Sequence, residues 1–203
     1  MLSNLSATSK ILIGGTTFGV ISGGATLGSY LHTSKITISY RLTSEGFSLD
    51  VGDGWDEIVK AHNQAKSPNI FENKEVTNKD ATWLKQKCKD TLSKHKSDNT
   101  NYQLAQRWCV KNENIESILK RAGYEPLNTE DSRIDRENWI RKIELLREEN
   151  PPVTKLTTDV SNSNEDTNIV AIKKACKELN NTKTIDEGFI EKLKQAKYWC
   201  SVR

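Results

Sequence analysis

Apolar and polar positions divide the chain into an uncharged start and a polar body with short apolar stripes. From Ile11 to Leu31 there are 21 residues without a charge. A helix of that length spans about 31 Å, which matches a bilayer core of about 30 Å. The pattern predicts an N-terminal transmembrane helix within residues 1–34, with a cleaved signal ending near Ser22-Gly-Gly-Ala25 and a buried glycine-rich loop as alternatives. Gly15 with Gly19, and Gly24 with Gly28, have the small-xxx-small spacing that lets helices associate into a homo-oligomer. Residues 35–42 alternate, with Ile36, Ile38, Tyr40 and Leu42 on one side, and Phe47, Leu49 and Val51 alternate after a turn. A β-hairpin over 35–51 is expected, or a linker.

Helical spacing takes over from there. Trp55, Ile58, Val59 and His62 share a face behind an Asp53/Asp56 cap. Leu84, Cys88, Thr91 and Leu92 share a second, after a Thr77/Asp80 capping box, and Tyr102, Ala105, Trp108 and Cys109 a third. Ile115, Ile118 and Leu119 extend the pattern to a cap at Gly123, and residues 124–131 read as a linker. The order then recurs. Trp139, Ile143 and Leu146 follow a cap at Ser132–Asp135, Pro151 and Pro152 stop that helix, and 153–168 read as loop. Ile169, Ile172, Cys176 and Leu179 form the next face, then Phe189, Leu193, Ala196 and Cys200, capped by Thr184 and Glu187.

The recurrence is also one of residue type. Ala105-Gln-Arg-Trp108-Cys109 returns as Ala196-Lys-Tyr-Trp199-Cys200, Cys88 as Cys176, and Trp55 as Trp139, with a period of about 84 to 91 residues. The expected fold is mainly α: an N-terminal transmembrane helix, a short hairpin, and two diverged three-helix units over 52–123 and 132–203. Four cysteines allow three pairings. The duplication favours Cys88 with Cys109 and Cys176 with Cys200, each unit stapling itself; four buried thiols are the alternative. Trp108 and Trp199 pack beside the bridges or, alternatively, serve as partner-binding aromatics.

Composition narrows the chemistry. A net charge of +3 over 203 residues gives no reason to expect a nucleic-acid partner. The mean hydropathy of -0.67 fits a polar body with small cores. His32, His62 and His95 have no metalloprotease spacing, and the cysteine spacings lack the close pairs of a zinc site. Gly52 and Gly54 do not form a phosphate loop, and Glu144, Glu148 and Glu149 read as a solvated helix surface. No catalytic, cofactor or metal residues are expected, and the chain does not read as an enzyme.

An uncharged glycine-rich start (Ile11 to Leu31), a lysine- and asparagine-rich body, and the pairs Trp108-Cys109 and Trp199-Cys200 resemble the paralogous families of small, uncharacterised proteins of haemotropic mycoplasmas. The resemblance implies a membrane-anchored surface protein acting in host contact or antigenic variation, with a host or membrane protein as partner. It carries no site residues across. Together with the paired cysteines it places a single-pass protein in the cell membrane with its body outside. A structural or oligomerising membrane protein, and a small-ligand-binding protein or enzyme, are the competing classes.

Overall fold

The computed structural model describes residues 35–72, 79–131 and 133–203. Among them are eight α-helices and one two-stranded ladder: α1 (Ile38–Ser44), α2 (Trp55–Gln64), α3 (Ala81–Leu92), α4 (Asn99–Trp108), α5 (Ile115–Arg121), β1 (Glu125–Pro126), α6 (Arg136–Arg147), α7 (Glu165–Asn181), α8 (Phe189–Trp199) and β2 (Ser201–Val202). Among the described residues no helix is long and apolar enough to cross a membrane. The segment Ile11–Leu31, with Gly15, Gly19, Gly24 and Gly28, lies outside them. The transmembrane helix, the single-pass location with an external body, and the surface role in host contact or antigenic variation are corrected on that finding and carried no further.

The hairpin expected over 35–51 is also corrected. Thr37 caps α1, its hydroxyl accepting from the Tyr40 N–H. Ile38 and Leu42, four residues apart, are fully buried, whereas Ile36 is 56% exposed. Four apolar residues at alternate positions satisfy both periods, because i and i+4 also share a helix face. The cap and the one-sided burial decide for the helix.

Helix α1 has a counterpart in α5, and the pair extends the duplication. Asn114 caps α5 as Thr37 caps α1, accepting from the Ser117 N–H. Ile115 and Leu119 are buried as Ile38 and Leu42 are. Gly123 (φ 78°) ends α5 as Gly46 (φ 91°) ends α1. Just before each helix the chain pairs with the turn between the two cysteine-bearing helices. Ile38 N donates to Lys94 O and Lys96 N to Ile36 O; Ile115 N donates to Thr182 O and Thr184 N to Glu113 O. Each repeat therefore contains four helices, α1–α4 and α5–α8. The second begins inside the stretch that the tryptophans and cysteines alone assign to the first. Residues 124–131 do not hang free as a linker: β1 pairs antiparallel with β2, and Leu127 N donates to Cys200 O.

The repeats share an apolar core. Phe189 and Ala196 of α8 join Leu42, Phe47, Trp108 and Ile118 in one cluster, and the Phe47 and Phe189 rings meet edge to face at 6.2 Å. A second cluster surrounds Trp139, Cys176, Trp199 and Cys200. Between repeats, Arg121 Nε donates to Gly46 O at 2.8 Å and Arg107 Nη2 to Ile185 O at 3.0 Å. Helix starts depart from the expected caps where backbone geometry substitutes. A short 3-10 turn (Gly52–Gly54) precedes α2 and α8 follows Gly188, whereas the Asp80 carboxylate caps α3 as expected and Thr77 lies outside the described residues.

His62 lies inside the first core, 2% exposed, in ring contact with Phe71, Trp83 and Trp108. Its Nε2 accepts the Phe71 N–H at 3.1 Å. Burial lowers its pKa to about 4; Lys79 and Arg107 act in the same direction, while a hydrogen bond with Asn63 opposes them. A histidine depressed in the folded state contributes stability above its unfolded value near 6.5 and loses it as pH falls towards about 4. The expected loss across that window is about 3 kcal/mol. Urea unfolding followed against pH checks this, and His62→Phe should flatten the profile there. An unchanged slope in the variant would exclude His62 as the source.

Candidate functional site

The cysteines and tryptophans singled out in the sequence are structural. Cys88 is bonded to Cys109 and Cys176 to Cys200, with Cα–Cα distances of 5.2 and 5.4 Å. Cys109 and Cys200 end α4 and α8 with matching dihedrals, φ -114° ψ 15° and φ -113° ψ 7°. Trp108 and Trp199 are completely buried. Their indole N–H groups donate to Asn69 O and Thr154 O, each in the loop between the first two long helices of its repeat. The partner-binding role for these aromatics is corrected accordingly: each ring is enclosed and its polar atom is satisfied inside the protein. His62 is buried and His95 exposed beside Ser97, and Glu144, Glu148 and Glu149 are exposed on or just after α6. Among the described residues no three His, Cys, Asp or Glu side chains could hold a metal ion together.

A difference between the repeats produces the site. The chain takes nine residues from Gly46 to Trp55 and sixteen from Gly123 to Trp139. The two tryptophans are equivalent by contact: Lys85 Nζ stands 5.6 Å from the Trp55 ring centroid, and Lys173 Nζ stands 5.7 Å from that of Trp139. The second repeat thus carries seven extra residues between equivalent points. Insertions on one repeat of an array commonly supply its binding face. Here the insertion covers Trp139, which is fully buried where Trp55 is half-buried, and the Trp139 indole donates to Asn128 O at 3.2 Å.

The inserted loop is held by its own polar groups. The Asn128 side chain accepts from the Glu130 and Asp131 N–H groups at 2.9 and 2.7 Å, an Asx turn. Asn128 N donates to the Asp135 carboxylate at 2.7 Å. This draws Asp135 away from capping α6 and fits its left-handed backbone, φ 60°. Lys173 reaches from α7 to the Asp131 carbonyl. Burial of its ammonium lowers its pKa, against the pull of Asp131 and Asp135.

Between this loop and α7 lies a groove of about 720 Å³. Thr129, Glu130, Arg133 and Arg136 line one side, and Asp166, Ile169, Val170, Lys173, Lys174 and Lys177 the other. Val170, one of three exposed large hydrophobics among the described residues, lines it at 64% exposed, and Ile134 (47%) lies on the loop outside the lining. Arg136 holds Asp166 and Glu165 at 2.5 Å each, and the hydrogen bond it donates to Asp166 is the main reason its pKa is raised. Lys177 holds Glu130 at 2.8 Å, and that hydrogen bond lowers the Glu130 pKa. The Arg133 backbone N–H donates to Asp131 and keeps that carboxyl below its usual range. These are binding groups. The groove offers cations and aliphatic surface. Comparison with family models, curated proteins and solved structures gave no match.

Proposed function

We propose that the chain is a non-catalytic protein-interaction module. Two disulfide-stapled helical repeats form the rigid body, and the loop inserted in the second holds a short segment of a partner protein against α7. The observation that carries this reading is the insertion-built groove of about 720 Å³, with Val170 64% exposed on its wall. Apolar grooves with a few convergent polar groups are where proteins hold ligands. The buried Trp108 and Trp199 support the same division of labour, since the repeated motif serves the scaffold.

Selection of a random-peptide phage library on the full-length chain tests the reading. Enrichment of a peptide class that is lost on Val170→Asp is expected. No enrichment, or enrichment untouched by Val170→Asp, would remove the groove as a site. Val170 projects into solvent on α7, so the variant should keep the thermal transition of the parent, and circular dichroism checks that it does.

A further inference from the structure

Resting on that reading, we infer that the partner segment is acidic: it seats an aliphatic side chain on Ile169 and Val170 and places carboxylates on Lys174, Arg133 and Lys177. The lining contains five cations against two carboxylates, while the whole chain carries only +3. Asp131, Asp135 and Glu165, just outside the lining, act on Lys173, Arg133 and Arg136, so the charge available to a ligand rests on the cations that are least committed. The five cations are not equally committed. Arg136 is occupied by two carboxylates, and Lys173 is taken up by the Asp131 carbonyl and the Trp139 face. Lys174 makes no hydrogen bond or ion pair among the described residues. Arg133, with its side chain 89% exposed, reaches the Asp131 carboxylate only at 3.5 Å.

Glu130 on Lys177 is a built-in sample of the ligand. The pair sits in solvent, 70% and 54% exposed, so it is weak and exchangeable. An incoming carboxylate that also gains apolar contact at Ile169 and Val170 can displace Glu130, which is free to swing into water. The mixed lining favours a peptide over another polyanion. Nucleic acids bind sequence-tolerant grooves by stacking bases on exposed aromatic rings, and the ring at this site, Trp139, is fully buried.

The test is fluorescence anisotropy of the full-length chain with a labelled, end-blocked peptide Asp-Glu-Leu-Val-Glu-Asp, against its neutral counterpart Asn-Gln-Leu-Val-Gln-Asn. The acidic peptide should bind about tenfold more tightly, and the advantage should shrink as salt rises. Lys174→Glu should weaken it about tenfold and Lys174→Ala by less, whereas Glu130→Gln should tighten it about threefold by freeing Lys177. Equal binding of the two peptides, or no gain from Glu130→Gln, would overturn the acidic assignment. So would competition by a single-stranded oligonucleotide as strong as by the peptide itself. If the phage library enriches neutral peptides that need Val170, the groove reading survives and this inference fails. If it enriches nothing and neither labelled peptide binds, both fail.

Discussion

Removing both disulfides, by replacing all four cysteines with alanine, is expected to unfold the chain under conditions in which the parent is folded. The bridges close sequence separations of 21 and 24 residues. Loops of that size correspond to about 3 kcal/mol each when the bridge is treated as a constraint on the unfolded state. Losing both takes about 6 kcal/mol from a total stability typically of about 5 to 15 kcal/mol. The two pairs should also differ in what loosens. Cys88 and Cys109 lie in the core that includes Phe189 and Ala196 of the second repeat, so their loss acts across both repeats. Cys200 also accepts the Leu127 N–H and leads into β2, so losing Cys176–Cys200 should first free the chain end and the segment that leads into the inserted loop. Urea unfolding of each double-alanine variant measures the energies, and amide hydrogen exchange locates the opening. A loss under about 1 kcal/mol for either pair would show that helix packing alone holds that repeat.

What the sequence revealed depended on residue type. Cysteine and tryptophan are scarce and were matched by identity, so the bonded pairs and the long helices were legible. The first helix of the first repeat was not, and the matching helix over Ile115–Arg121 was legible only as an extension of the first unit. Ile38, Leu42 and Gly46 correspond to Ile115, Leu119 and Gly123 at the same spacing, but such residues are common and seven-residue helices carry little periodic signal. Alternation in 35–42 then suggested a strand, and only the Thr37 cap and the one-sided burial of Ile38 and Leu42 decide for a helix. The groove stayed hidden for a related reason. The seven-residue insertion emerges only once Gly46 is matched to Gly123, since Trp55 and Trp139 by themselves show a period and no length difference. For Trp108 and Trp199 the sequence offered packing beside the bridges, with partner binding as the alternative, and full burial agrees with packing. An indole can be buried fully when a loop carbonyl accepts its N–H, as Asn69 and Thr154 do.

Gly46 and Gly123 provide the sharpest test of how the repeats are joined, because they are matched in backbone and opposite in surroundings. Both have positive φ, 91° and 78°. Alanine at either should cost about 1 to 2 kcal/mol from backbone strain. At Gly123 nothing lies within 4 Å of an added Cβ, so the cost should stop there. At Gly46 the added Cβ would meet the Ile118 carbonyl at 2.3 Å and the Ala122 N at 2.8 Å. Both are backbone atoms of the second repeat's first helix and its cap, and neither can swing aside as a side chain can. Gly46→Ala is therefore expected to cost roughly 3 to 5 kcal/mol in all, combining strain with overpacking. The clash pushes α5 away from the end of α1, and the Arg121 bond to Gly46 O should break with it. Unfolding by urea should then separate into two transitions, because the shared core around Phe47 and Phe189 opens before either disulfide-stapled repeat melts. Equal losses for the two variants would mean that the close approach at Gly46 does not hold the repeats together. The groove between the inserted loop and α7 is built wholly within the second repeat and contains no junction residue. Gly46→Ala should thus retain peptide binding until the second transition, which separates damage to the scaffold from damage to the site.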